Sequence, residues 1–109
     1  MKCKGADVRL IEDMAQNADR VAGFLKGLGN PQRLLVLCWL AEGEKNVTEL
    51  TELTGVPQTS MSQHLARLKE EGIVAVRRDH RNLYYRIDNP AALELMHVLH
   101  RHFCQRTEA

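Results

Sequence analysis

Three thiols, a group of histidines near the end and a run of short hydrogen-bonding side chains are the parts of this 109-residue chain equipped for chemistry. The thiols are Cys3, Cys38 and Cys104. Their number is odd and their spacings match no CxxC or zinc-finger pattern, so three uses stay open: inert packing, a metal site or thiol redox chemistry. Cys38 lies in Leu34-Leu35-Val36-Leu37-Cys38-Trp39-Leu40, the setting of a small core residue. Cys104 has His100, Arg101 and Arg106 as sequence neighbours, cations that favour a thiolate, whereas the terminal carbonyls of a helix oppose one. Cys3, between Lys2 and Lys4, reads as incidental to the function. His97 and His100 stand one turn apart with His102 nearby, enough at most for weak metal binding.

The second group is Gln58, Thr59, Ser60, Ser62, Gln63, His64 and Arg67. Gln can pair with an adenine edge, and Ser or Thr can reach bases or phosphates. Arg67 and Lys69 suit phosphates, which give affinity without sequence information. Arg77, Arg78 and Arg81 follow in a second polar stretch and could contact phosphates or enter a minor groove. Each stretch alone is also what a solvated surface looks like. Their order along the chain gives them meaning, and that depends on the elements that carry them.

Residues Val8 to Leu28 repeat Leu10, Met14, Ala18, Val21, Ala22 and Leu25 at helical steps, with Gly27 and Gly29 loosening the end. Asn30-Pro31 is a cap and first-turn proline for a helix to Ala41 that is apolar nearly all round, the expected central buried helix. Thr48 is the expected cap of a short helix to Thr54 with Val47, Leu50 and Leu53 inward, although Thr48-x-x-Thr51 lacks the acidic residue of a capping box. After Gly55-Val56-Pro57, a helix from Gln58 to Glu71 turns Met61, Leu65 and Leu68 inward, and Gly72 is its expected left-handed end. Two helices joined by a short turn containing glycine, the second polar outside, form a helix-turn-helix. The period then changes to that of strands, Ile73 to Val76 and Leu83 to Ile87, around a polar tip from Arg77 to Asn82. Asp88-Asn89-Pro90 starts a last helix to about Gln105 with Leu93, Met96, Leu99 and Phe103 on its apolar face. The expected fold is mainly α with a β-hairpin wing, a winged helix-turn-helix of order α-α-α-α-β-β-α, in a single domain over residues 1–109.

Bulk properties narrow the classes. A composition 44% hydrophobic and 27% charged suits a globular protein with one core. No apolar run reaches the length of a membrane span, and Met1 to Asp7 lacks the apolar stretch of a signal peptide, so we expect a cytoplasmic protein with free thiols and no membrane partner. The net charge of +1 announces nothing, but its distribution does. Glu42 to Leu53 sums to −3, whereas Arg67 to Arg86 sums to +3 and adds His80, a local basic patch of the kind a groove-binding element needs. No nucleophile loop or substrate-pocket signature points to an enzyme.

Three stretches resemble the ArsR family. Thr59-Ser60-Met61-Ser62-Gln63-His64-Leu65-Ala66-Arg67-Leu68-Lys69-Glu70-Glu71-Gly72-Ile73-Val74 is similar to its recognition helix and strand entry. Gly29-Asn30-Pro31-Gln32-Arg33-Leu34-Leu35 is similar to its second-helix opening, and Tyr84-Tyr85-Arg86-Ile87 to its second wing strand. The resemblance implies a homodimer through the first and last helices, double-stranded operator DNA with an inverted repeat as partner, and a repressor that leaves DNA when an inducer binds. It also implies where metals would bind, and those positions are altered. The Cys-x-Cys site has no counterpart in Val47 to Leu53, and the Asp-x-His-x(10)-His-x(2)-His/Glu zinc site falls on Asn89, Ala91, His102 and Gln105. We therefore expect no metal and no cofactor. Arg33 to Leu40 around Cys38 and His100 to Gln105 around Cys104 resemble the branch that senses persulfides and polysulfides, which implies Cys38 and Cys104 as redox-sensing residues and reactive sulfur species as inducer. A disulfide or oxidant sensor, a metal sensor and, from another class, a sulfur-transfer enzyme are the alternatives.

Overall fold

The computed structural model describes residues 5–104. Helix α1 spans Gly5–Leu28 and α2 spans Pro31–Glu42; strand β1 is Lys45–Asn46, α3 is Val47–Thr54 and α4 is Gln58–Glu70. Strands β2 (Val74–Asp79) and β3 (Asn82–Ile87) form the wing, and α5 (Pro90–Leu99) continues into a π-helical turn, His100–Cys104. The fold is a winged helix-turn-helix, as expected, with one additional strand. Among the described residues no helix is long and apolar enough to cross a membrane.

The caps at α2 and α5 follow the sequence. The Asn30 side chain accepts from the Gln32 and Arg33 amides ahead of Pro31, and Asn89 accepts from Ala91 and Ala92 ahead of Pro90. At α3 the expectation of Thr48 is corrected. The cap is Asn46, whose Oδ1 accepts from the Glu49 amide at 2.8 Å while Glu49 Oε1 accepts from the Asn46 amide at 2.8 Å. This is a full capping box, two residues earlier than the sequence suggests. Asn46 also belongs to β1, so one residue ends a strand and starts a helix.

The sheet is antiparallel in the order β1-β3-β2. Val74 faces Ile87 and Asp79 faces Asn82, so the ladder runs further than the sequence suggests and Arg77 and Arg78 lie in β2 rather than at the tip. The turn is reduced to His80, in left-handed conformation at φ 59°, and Arg81. β1 pairs on the other edge of β3, Lys45 with Tyr85 and Asn46 with Tyr84.

Val36, Leu37, Leu40, Leu50, Met61, Leu65, Leu68 and Ile73 form the centre of the core. Burying such side chains contributes roughly 1.5–3 kcal/mol each before chain entropy is counted. Two expectations of inward faces change, on α2 and at Leu53 of α3. Helix α2 has an outer face, exposing Leu35 and Cys38. Leu53 of α3 is exposed, as are Leu10, Met14, Ala18, Ala22 and Leu25 of α1, because those stripes face no element of the same chain. On the last helix Met96 is buried together with Ala92, but Leu93 and Phe103 are exposed. Gly27 does not end α1. A Cβ there would stand 3.0 Å from Ile73 Cδ1, so the glycine lets α1 press against the start of the wing. Gly72, at φ 73°, makes the left-handed turn out of α4 as expected.

Candidate nucleic-acid interface and thiol site

α4 is positioned by Met61, Leu65 and Leu68, which are buried on one side at three- and four-residue steps. Its opposite side then presents Gln58, Thr59, Ser62 and Gln63 to solvent, with Ser60 half-buried beside them. These side chains form no hydrogen bond to other described side chains that would tie them down, so their donors and acceptors are available to a groove. Lys69 is exposed on the same helix.

His64 and Arg67 differ from that set. His64 Nε2 stands 2.7 Å from Gln32 Oε1 on α2, and its Nδ1 stands 3.4 Å from Arg33 Nη1. Arginine can only donate, so Nδ1 is the acceptor and Nε2 carries the proton given to Gln32. Arg33 is itself fixed by donating to the carbonyls of Gly27 at 2.6 Å and Lys26 at 3.2 Å. Burial, followed by the Arg33 charge, lowers the pKa of His64, a shift that favours the neutral ring. Arg67 lies beside Glu71, with Nε 3.4 Å from Oε2 in a geometry that leaves the buried Nε without a hydrogen bond.

On the wing, Arg77 is also engaged. Its Nε and Nη2 donate to the two carboxylate oxygens of Glu44, both at 2.8 Å, and its guanidinium lies 4.8 Å from the centre of the Tyr84 ring. The Glu44 hydrogen bond raises the pKa of Arg77, and the same bond lowers that of Glu44. Arg78 and Arg81 are exposed, and among the described residues neither enters an ion pair. Nothing in the sequence sets Arg77 apart from them, because its partner lies 33 residues away. Gln32, Arg33, Glu44 and Tyr84 are the residues that sequence reasoning missed; Arg33 stood within the family-like helix opening but carried no visible partner.

The thiol end lies elsewhere on α2. Cys38 and Cys104 are both free and exposed in the chain. Burial of part of the thiol raises the pKa of Cys38, and the charge of Cys104 raises it further. A cavity of about 510 Å³ opens beside Cys38 between α2 and the last helix, lined also by Trp39, Ala41, Met96, His97 and His100. Among the described residues no three His, Cys, Asp or Glu side chains gather in a way that could hold a metal ion. Asn89, at one of the altered zinc positions, uses its side-chain oxygen as the α5 cap. Cys3, Gln105 and Arg106 lie outside the described residues.

Comparison with known proteins matches this arrangement. Residues 30–76, from the α2 cap to β2, fit the model of the bacterial regulatory protein, arsR family. The chain is 42% identical over 93 residues to the biofilm growth-associated repressor of Xylella fastidiosa, covering 85% of this chain and 82% of that one. The crystal structure of that repressor, BigR, superposes with a TM-score of 0.79 at 41% identity, over 87% of this chain and 97% of that one. The transcriptional activator HlyU of Vibrio cholerae is 32% identical over 105 residues, 96% of each chain, and its reduced form superposes with a TM-score of 0.80 over 86% of this chain and 99% of that one. A homodimeric winged helix-turn-helix DNA-binding domain from Mycobacterium bovis, a possible ArsR-family regulator, superposes with a TM-score of 0.72 at 33% identity, over 84% of this chain and 93% of that one. With the recognition-helix segment inside the matched residues and full-length relatives at this identity, the chain belongs to the arsR family of bacterial regulatory proteins.

Proposed function

We propose that the chain is a homodimeric, DNA-binding transcriptional repressor that lets go of its operator when Cys38 and Cys104 become bridged through sulfur by a persulfide or polysulfide. It acts as one cytoplasmic domain, a regulator rather than an enzyme, with α1 and the last helix as its dimerisation helices. The observation that carries this reading is the pair of free, exposed thiols, one on α2 beside the cavity that opens toward the last helix and one at the end of that last helix. Two of the relatives' names support parts of it, a repressor in Xylella and a homodimer in Mycobacterium, whereas HlyU is named an activator.

The α4 helices of two copies enter successive major grooves of an inverted repeat whose half-sites lie about one helical turn apart. Gln58, Thr59, Ser60, Ser62 and Gln63 face the base edges, while Arg67, Arg78 and Arg81 lie toward phosphates. For the switch, the Cys38 thiolate attacks the outer sulfur of a persulfide RSSH, forming Cys38–S–SH and releasing RSH. The Cys104 thiolate then attacks the Cys38 sulfur and expels hydrosulfide. Two thiols and one persulfide thus give one disulfide, one RSH and one hydrogen sulfide. Each further persulfide consumed adds one sulfur to the bridge and releases only its RSH. The bridge ties the last helix to α2 and alters the spacing of the two α4 helices, both of which must engage for tight binding.

The test is operator binding with intact-mass measurement after separate treatment with persulfide, disulfide and peroxide. Persulfide is expected to release the wild type and Cys3→Ser, whereas Cys38→Ser and Cys104→Ser bind and do not let go. Release of either serine variant as readily as the wild type overturns the two-thiol switch. Gln63→Ala is expected to lower discrimination between operator and random DNA by about tenfold or more, and unchanged discrimination removes Gln63 as a base reader.

A further inference from the structure

Helix α2 and the loop that follows it touch both DNA-facing elements through polar contacts, one at the start of the helix and one just past its end. At its start, Gln32 and Arg33 occupy both ring nitrogens of His64 on α4. Just past its end, Glu44 takes two hydrogen bonds from Arg77 on the wing, and Tyr84 lies under the same guanidinium. A side chain whose donors are already directed at protein partners has little left for DNA. A bidentate arginine–carboxylate fork is also geometrically specific, fixing the angle between the groups it joins. The neighbouring Arg78 and Arg81 show the contrast, being exposed on the same wing without such partners among the described residues.

We infer that His64 and Arg77 are positioning residues rather than DNA contacts: His64 sets the attitude of the recognition helix by holding it to α2, and Arg77 sets that of the wing by holding it to the loop between α2 and β1. Gln32, Arg33 and Glu44 are their partners in this role. Arg33 acts at second hand, pinned to the last carbonyls of α1 and presenting its Nη1 to His64. Tyr84 supports the Arg77 fork from the adjacent strand. The inference rests on the DNA-binding reading above, and it refines which basic residues of that reading meet the nucleic acid.

Salt dependence separates the two roles. A side chain that neutralises a phosphate releases counterions, so its removal flattens the slope of log affinity against log salt by about one unit. A positioning residue changes the affinity without changing the slope. Operator and random DNA affinities are therefore measured across a salt series for Arg77→Ala, Glu44→Ala, the double variant and the charge-exchanged pair Glu44→Arg with Arg77→Glu. Arg78→Ala and Arg81→Ala run alongside. Arg77→Ala and Glu44→Ala are each expected to weaken operator binding by about threefold to tenfold at unchanged slope, with the double variant no worse than either single one. The charge-exchanged pair is expected to recover most of the loss. Arg78→Ala and Arg81→Ala flatten the slope. For α4, His64→Ala and Gln32→Ala are expected to give equal, non-additive losses on both DNAs. Where an alanine variant loses its cooperative thermal transition, Arg77→Gln and His64→Gln replace it.

A slope lowered by Arg77→Ala as much as by Arg78→Ala overturns the wing assignment. Loss of operator discrimination in His64→Ala but not in Gln32→Ala overturns the helix assignment. Slopes unchanged in every wing variant, Arg78 and Arg81 included, mean that the wing does not meet DNA and overturn the reading beneath the inference as well.

Discussion

Residues 8–20 of α1 are exposed along their whole length, whereas the segment from α2 to β3 encloses Val36, Leu37, Leu50, Met61, Leu68 and Ile73 completely. The inner segment covers its own apolar side chains with its own helices and sheet. The outer helices carry comparable side chains with nothing from the same chain over them: Leu10 is 60% exposed and Phe103 81%. Both regions show clear helical apolar stripes in sequence, so periodicity alone cannot tell a core stripe from an interface stripe. What distinguishes them is the presence of a partner element within the chain. An uncovered apolar surface of this kind marks an interaction site, and a second copy laid across α1 and the last helix is the occupant that the proposed dimer supplies.

Breaking the outer region should cost binding more than folding. The double change Leu10→Glu with Met14→Glu is expected to give a monomer in sedimentation and an operator affinity lower by about 10²–10⁴, the avidity lost when two half-sites no longer act together. Helical content should hardly change, since neither side chain is buried within the chain. A variant that stays dimeric moves the interface away from α1. Breaking the inner region should do the reverse. Leu37→Ala removes a fully buried side chain and is expected to cost roughly 2–5 kcal/mol in chemical denaturation. A loss below about 1 kcal/mol, at the level of a surface change, would place the stability of the chain elsewhere.

A smaller effect belongs to the junction of sheet and helix-turn-helix. Asn46→Ala removes the side chain that caps α3 and is expected to cost about 1 kcal/mol. Thr48→Ala should cost less, and the opposite ranking would restore the threonine as cap. The smallest effect lies at the seam between the regions, where the cavity beside Cys38 of α2 opens toward the last helix. Alkylation of Cys38 against pH should have its midpoint above the ordinary thiol range, because burial and the charge of Cys104 both disfavour the thiolate. Cys104→Ser should lower that midpoint without normalising it, burial being the larger cause. A midpoint that ignores Cys104→Ser would separate the two thiols.

The elements legible in the sequence are those written in local chemistry. Asn30-Pro31 and Asn89-Pro90 announce two helix starts, Gly72 one helix end, and the three-four spacing of Met61, Leu65 and Leu68 the face of α4. What stays hidden depends on distant partners. β1 is two residues long and exists only because Tyr84 and Tyr85 lie beside it. Asn46 caps α3 from within that strand, so the nearest hydroxyl, Thr48, looks like the cap until the strand is known. Among the basic side chains, composition makes Arg77, Arg78 and Arg81 equivalent. Glu44, in a segment that reads only as acidic, makes the first of them different.

The last helix does not end as it begins. Its closing turn, His100–Cys104, is wound as a π-helix, and such turns are rare and tend to occur at functional positions. The wider turn advances a residue by a smaller angle than an ordinary helix does, so the final side chain leaves the axis in a different direction from the one an ordinary helix would give it. The direction in which the Cys104 sulfur leaves the helix is therefore written in the winding of the preceding turn. Rewinding His100–Cys104 to the ordinary pitch would carry that sulfur around the axis while leaving the identity of every residue, and all of α2, untouched.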